Sequence, residues 1–411
     1  MNDKTVFVFG AGSTAALGMP TTEEQIELLR KIDKTEDDDL CKLFNILNGV
    51  FGERKYQLND IFNIIDSNLI LQKALQYKYE KIEAYELAEY KRKLITYIFE
   101  NFLESLKNKD DGIYQKYIDF YASLAKNELL GKLDCGLDCT DKDFFISSFS
   151  IINFNWDLYS LLPIIEAHKV VNHGNDLYFK KWRNPRLKIY TDFNCEYACA
   201  EVEDKLWYPF TEPAAFALNG EKHDATKRVV LLKCFYPHGA MNFFKCSGCA
   251  KHSFYLGNLT LNDVIEKIDY ESNSFLYKCP YCGKEIHSKD FDILSQSNFK
   301  VRNSFLEEIR LSMTQELRTA DTIVFVGYSM PNDDVDYKTM FKTLNSNAKK
   351  VYVVLFDNES PNEFISYSEL NAKAKETVRN FDEVFAEKAK YNMSGAPNAF
   401  NELLKVLEID V

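Results

Sequence analysis

The sequence predicts an α/β protein: a parallel sheet carrying a large helical insertion and a small metal-binding module. Three observations predict it. The chain opens on Val6-Phe7-Val8-Phe9, an apolar run that stops at Gly10-Ala11-Gly12. Similar runs return after residue 144 and end in polar or glycine-bearing residues. Between two of them lie the pairs Cys246/Cys249 and Cys279/Cys282. A short continuous apolar run reads as a strand buried on both faces, as parallel sheets require.

The opening run is the first strand. Gly10, Gly12 and Ala15 fit G-x-G-x-x-G/A, the fingerprint of a Rossmann-like sheet. In that reading the first glycine allows the turn and the second lets a pyrophosphate approach the backbone. The helix that follows would present its N–H groups to phosphate. Alone this pattern also fits any strand-to-helix turn. Thr21 or Thr22 with Glu24 or Gln25 predicts a capped helix, and residues 33–39 a polar loop.

From about Leu40 to Leu133 the pattern is helical, with no strand signal. Ile95, Ile98, Phe99, Phe102, Leu103 and Leu106 share one face of a long amphipathic helix. Strands are expected at Phe144–Ile146, Ser150–Phe154, Arg228–Phe235, Thr322–Val326 and Val351–Phe356. Residues 165–227 hold Pro185, Pro209 and Pro213 and predict long loops with short elements. Residues 361–411 read as helical, interrupted at Asn392–Pro397. The resulting division is a sheet domain in three parts (1–34, 144–240, 291–358), an insertion (35–143), a zinc ribbon (241–290) and a C-terminal helical segment (359–411).

Cys246-Ser247-Gly248-Cys249 and Cys279-Pro280-Tyr281-Cys282 are two knuckles whose four thiolates close a tetrahedral zinc site. Four cysteines leave no open coordination position, so the metal is expected to be structural, with Gly248 and Gly283 making the turns. Cys135/Cys139 and Cys195/Cys199 are either a second site or buried thiols.

The net charge of −12 argues against a freestanding nucleic-acid binder. The first strand starts within five residues of Met1, which leaves no room for a signal peptide. No apolar run approaches the roughly 18 residues of a membrane helix. The expected compartment is the cytoplasm, with reduced cysteines.

Several motifs now line up in order. Gly10-Ala11-Gly12-Ser13-Thr14 leads to Gly18-Met19-Pro20. Phe154-Asn155-Trp156-Asp157 ends a strand, His238-Gly239 precedes the first knuckle, and Gly327-Tyr328-Ser329 ends a later strand. This series resembles the sirtuins, which carry Gly-Ala-Gly-x-Ser, Gly-Ile-Pro, Gln-Asn-Ile-Asp, His-Gly and Gly-Thr-Ser in the same order. Where sirtuin deacylases continue with Asp-Phe-Arg, this chain has Thr21-Thr22-Glu23. That departure, the insertion and the Gly-Tyr-Ser-x-Pro strand end are similar to sirtuin-like NAD hydrolases of anti-phage defence. Some of those act with a HerA-type ATPase in a large assembly.

The resemblance implies NAD as substrate, structural Zn2+, a homo-oligomer and an ATPase partner. It implies Asn155, Asp157 and His238 as catalytic residues, and Gly10, Ala11, Gly12, Thr14, Gly327 and Ser329 around the cofactor. Asp357, ending a strand, is a candidate acceptor for the adenosine ribose. Asn155 offers a donor and an acceptor, so it can orient a water or a ribose hydroxyl. Asp157 would hold the nicotinamide carboxamide, and His238 titrates near neutral pH and can take a proton. Asn155 and Asp157 also fit plain helix capping. Trp156 reads as core, and His168, His223, His252 and His287 as surface or structural. His173-Gly174 is a rival His-Gly pair. Two other functions stay open: a protein-lysine deacylase using the same pocket, and a nucleic-acid-binding or nuclease subunit of an ATPase complex.

Overall fold

The computed structural model describes residues 3–32, 37–52, 56–108, 110–134, 145–159, 161–173, 186–194, 198–200, 227–257, 267–270, 272–293, 304–331, 334–344, 350–357 and 361–409. Its centre is strand β1 (Thr5–Phe9), whose side chains are almost completely excluded from solvent. β1 pairs in parallel with β4 (Ile146–Asn153) on one side and β13 (Thr322–Val326) on the other. Beyond β4 lie β7 (Lys227–Phe235) and β5 (Arg186–Asp192). Beyond β13 lie β14 (Lys350–Val354) and β15 (Ala389–Asn392). The order is β15-β14-β13-β1-β4-β7-β5, and every pairing is parallel. This is an open Rossmann-like sheet, as the apolar strands require.

The two faces of β1 feed two cores. Phe7 and Phe9 pack with helices α1 (Thr22–Leu29), α2 (Asp38–Phe51), α3 (Leu58–Leu71), α4 (Leu87–Lys107), α5 (Asp111–Asp134) and α6 (Leu162–His173). Val6 and Val8 face α7 (Ser304–Arg318), α8 (Val335–Leu344) and α9 (Ala372–Phe385). A last helix, α10 (Phe400–Val406), returns to the first core. The chain therefore leaves β1 toward one face and β13 toward the other. Open sheets form their ligand crevice at such a divergence, beyond the carboxyl ends of the strands.

Helix α1 starts with the expected capping box. Thr21 Oγ1 accepts from the Glu24 N–H at 3.4 Å, and Glu24 Oε2 accepts from the Thr21 N–H at 2.7 Å. The six residues predicted to share a face of α4 are all buried. Phe99 among them meets Trp156 edge-on at 6.2 Å, so Trp156 is core.

The structure corrects several expectations. The insertion contains a hairpin, β2 (Leu75–Tyr77) with β3 (Glu80–Ile82). Each strand is three residues long, too short for an alternation to register in the sequence. The two strands expected before residue 154 are one, β4, with Ser147, Ser148 and Ser150 inside it; Phe144 lies outside the described residues. The last predicted strand stops at Val354, and Phe356 is exposed. β5 and β15 were not anticipated. Both are edge strands whose apolar residues are interrupted by one lysine, Lys188 in β5 and Lys390 in β15, a charge that edges favour. Most of the loop predicted over 165–227 lies outside the described residues.

The metal-binding module follows β7. Its four-stranded sheet has the order β12-β8-β9-β6, formed by β6 (Ala198–Ala200), β8 (Gly239–Lys245), β9 (His252–Gly257) and β12 (Phe291–Ile293). A separate hairpin pairs β10 (Phe275–Lys278) with β11 (Glu285–His287). Among the described residues no helix is long and apolar enough to cross a membrane.

Candidate active site and metal centre

The tips of β1 and β13 are tied together through backbone. The Gly10 N–H donates to Val326 O at 3.1 Å and the Gly12 N–H to Gly327 O at 2.9 Å. A Cβ on Gly10 would lie 2.6 Å from Tyr328 Cα. Gly327 has φ +63°, and a Cβ there would lie 1.9 Å from the Ser13 nitrogen. The glycines let two strand ends touch. The Gly12 N–H is thereby committed to Gly327. The structure corrects the helix expected next: Ala11–Ser13 and Ala15–Leu17 form two 3-10 turns, and the first α-helix waits until Thr22. Short tight turns replace it because Gly18, at φ +85°, ends the segment. Ala11 and Gly12 face solvent, as does Ser329 after β13.

Asn155 sits beyond β4, beside this turn. Its Nδ2 donates to Gly10 O at 3.1 Å and lies 3.2 Å from Ser13 Oγ. The side chain is buried, and among the described residues its Oδ1 accepts no hydrogen bond. Burial of an amide oxygen without a donor costs free energy of about 1–3 kcal/mol. Asp157 is buried two residues on. Its Oδ1 accepts from the Tyr159 N–H at 2.9 Å, and its Oδ2 from the Thr14 hydroxyl at 3.1 Å. One Asp157 oxygen thus holds the turn before α6, and the other reaches the β1 loop.

Tyr117 of the insertion and Tyr159 after β4 close this side. Tyr117 donates to Ser13 O at 2.6 Å. Burial, and then the Asp157 carboxylate, raises the Tyr117 and Tyr159 hydroxyls above their ordinary range, so both are neutral donors. Sequence reasoning missed Ser13 and Tyr117, because nothing in the sequence ties α5 to the first loop.

His238 follows β7 in a second group. Its ring lies edge-on to Phe154 at 5.1 Å and to Tyr337 at 5.4 Å. Its Nε2 is 3.7 Å from Asp334 Oδ1, while Tyr328 donates to Asp334 Oδ2 at 2.9 Å. Asn155 and His238 thus each sit in their own set of partners. Asp334 was not foreseen; a carboxylate at a helix start reads as a cap. Asp357 is buried, accepts from Asn371 Nδ2 at 3.0 Å and lies 3.6 Å from Lys373 Nζ. His168 is a buried residue of α6, with Nδ1 3.2 Å from Thr191 Oγ1 of β5. His252 lies 2.6 Å from Asp292 Oδ2. His223, Gly174 and the side chain of His173 lie outside the described residues.

The four knuckle cysteines converge. All four Sγ atoms lie within 4.8 Å of one another, with Cys246–Cys282 at 3.5 Å and Cys249–Cys279 at 3.6 Å. Tetrahedral Zn–S bonds of about 2.3 Å place sulfurs about 3.8 Å apart, so the donor set fits zinc. The knuckles are built alike. Cys246 N–H donates to Lys251 O and Cys279 N–H to Lys284 O, at 2.9 and 2.7 Å. The left-handed residues are Ala250 (φ +59°) and Gly283 (φ +75°). Gly248 instead sits in close contact, since a Cβ there would lie 3.0 Å from Lys284 Cδ and 3.3 Å from Cys282 Sγ. With four thiolates and no open position, the centre is structural. The alternative pairs Cys135/Cys139 and Cys195/Cys199 lie outside the residues whose side chains are described.

No family model and no curated protein matches the chain. Solved structures do. One is a sirtuin studied for substrate affinity, 14% identical, covering 98% of this chain and 93% of its own, with TM-score 0.38. Another is Sir2Tm bound to a propionylated peptide, 13% identical, covering 99% and 94%, TM-score 0.37. A third is a Sir2 homologue complexed with NAD, 11% identical, covering 99% and 90%, TM-score 0.37. Likeness this loose says nothing of activity. The fold assignment rests on the strand order and registers of the chain itself.

Proposed function

We propose that the chain consumes NAD, cleaving the nicotinamide N-glycosidic bond to give nicotinamide and ADP-ribose with water as nucleophile. The observation that carries this reading is Asn155: a buried amide, oriented by Gly10 and Ser13, whose acceptor oxygen takes no hydrogen bond among the described residues. The ordered motifs that resemble the sirtuins support NAD as the substrate.

Bond cleavage builds positive charge on the ribose as nicotinamide departs. Such a site works mainly by positioning and electrostatics. Asn155 Oδ1 would accept from the attacking water or a ribose hydroxyl. Asp157, fixed by Thr14 and Tyr159, would hold the carboxamide. His238, positioned by Asp334, would take the proton. Ala11 and Ser329, exposed at two adjoining strand tips, would line the phosphates and ribose. Gly10, Gly12 and Gly327 would shape that edge by letting the tips meet. Asp357 would play its adenosine-ribose part from its seat between Asn371 and Lys373.

The division into sheet, insertion, zinc ribbon and C-terminal segment belongs to the same reading. So do a role in anti-phage defence by NAD depletion, self-association and a HerA-type ATPase partner, which the motif resemblance supports. Thr21–Glu24 forms a capping box where deacylases carry Asp-Phe-Arg, which favours hydrolysis over deacylation. The test is product analysis after incubation with NAD, without acylated peptide, alone and with the ATPase. Equal yields of nicotinamide and ADP-ribose are expected. Nicotinamide released only when an acyl-lysine peptide is added would overturn hydrolysis in favour of deacylation.

A further inference from the structure

The two zinc knuckles share a pattern that the metal does not explain. Each reads Lys-Cys-x-x-Cys-x-Lys: Lys245 to Lys251 and Lys278 to Lys284. All four lysines are exposed, on a chain whose net charge is −12. The knuckles clasp each other reciprocally. Lys251 of the first lies over the Tyr281 ring of the second, 5.5 Å from its centroid. Lys284 of the second brings its Cδ to 3.0 Å from where a Gly248 Cβ would stand in the first. Gly248 and Tyr281 occupy the same position in their knuckles, so the collar has approximate two-fold symmetry.

The module's nearby carboxylates have other partners. Asp292 lies 2.6 Å from His252, Asp290 accepts from the His287 N–H at 2.8 Å, and Asp269 from the Ser272 N–H at 2.8 Å. Glu285 lies 3.6 Å from His287. Among the described residues no carboxylate pairs with Lys245, Lys278 or Lys284. A zinc ion with four thiolates carries two negative charges, so four lysines exceed what neutralising the core requires. Tyr281 is 44% exposed and adds an aromatic face within the basic collar. Lysines that follow phosphates and an aromatic that stacks a base are the elements of single-strand recognition.

We propose that the knuckle collar binds single-stranded nucleic acid, with Lys245, Lys251, Lys278 and Lys284 on backbone phosphates and Tyr281 stacking a base. This site is separate from the strand-tip crevice and does not depend on what that crevice does.

The test is fluorescence anisotropy of the full zinc-loaded chain with a labelled oligothymidylate of about 20 nucleotides. Four phosphate contacts to a single strand predict about a fiftyfold loss of affinity between 50 and 200 mM salt. Replacing the four lysines by glutamine should remove most of that salt dependence at unchanged zinc content. Tyr281→Ala should weaken binding about five- to a hundredfold with the salt slope kept. Binding equal in wild type and the quadruple variant overturns the proposal. So does equal competition by poly-glutamate, which would make the collar a general site for acidic polymers. Loss of zinc from the quadruple variant without prior oligonucleotide binding by wild type would reduce the lysines to charge partners of the thiolates, and also overturns it.

Discussion

The strand-tip site and the metal centre are built in opposite ways. At the metal centre, chemistry-bearing residues stand a few positions apart, and the two knuckles repeat one set of hydrogen bonds. At the strand tips, Gly10, Asn155, His238 and Gly327 come from four strands spread over most of the chain, and the sheet alone brings them to one edge. Glycine differs in meaning too. Gly283 provides a left-handed turn, whereas Gly10 and Gly12 exist so that β13 can press against β1. The metal centre is specified by local spacing, the crevice by packing across the sheet.

The comparison can be broken from either end. Cys279→Ser removes one ligand of four. Structural zinc sites contribute on the order of 10 kcal/mol to the structures they close. Metal content should fall from one zinc per chain to none, and hydrogen exchange should rise across β8 to β12 while the seven-stranded sheet stays protected. Exchange rising equally in β1 and β4 would show the two regions to be one cooperative unit.

Gly327→Ala attacks the other end. The new methyl would meet the Ser13 nitrogen at 1.9 Å at a φ of +63°. Two penalties combine here, a clash against backbone and a strained conformation. A loss of about 4 kcal/mol or more is expected in denaturant unfolding, with zinc still bound. A loss under about 1 kcal/mol would mean that the strand tips do not need their contact.

A smaller effect separates the regions by acid. Burial pushes the His168 imidazole down to about 3. The unfolded chain, with an ordinary value near 6.5, takes the proton first. This contribution is therefore complete above about pH 6.5 and is lost progressively as pH falls toward 3. Between pH 7.5 and 5 the α/β core around α6 should lose about 2 kcal/mol from this residue. His168→Gln should remove that part of the slope and leave the pH of metal release unchanged. An unaltered slope would place the acid sensitivity elsewhere.

These contrasts explain what the sequence disclosed. The metal ligands were legible because cysteine spacing is itself the geometry. The central strands were legible because burial on both faces demands continuous Val, Ile and Phe. The edge strands β5 and β15 were not, since a lysine and other polar residues break each of them. The parts proposed for Asn155, Asp157 and His238 rest on motif order alone, as polar residues at strand ends also serve as caps. Tyr117 and Asp334 could not be read at all: their parts are set by how α5 and α8 lie across the strand tips, a tertiary fact with no local signature.

The central claim is that an amide held by the β1 turn directs NAD cleavage. Its most direct test is NAD turnover by wild type and Asn155→Ala, each shown to be folded and zinc-loaded. Wild type should release nicotinamide and ADP-ribose in equal amounts, and Asn155→Ala should fall at least about a hundredfold below it. Undiminished release by Asn155→Ala would contradict the account.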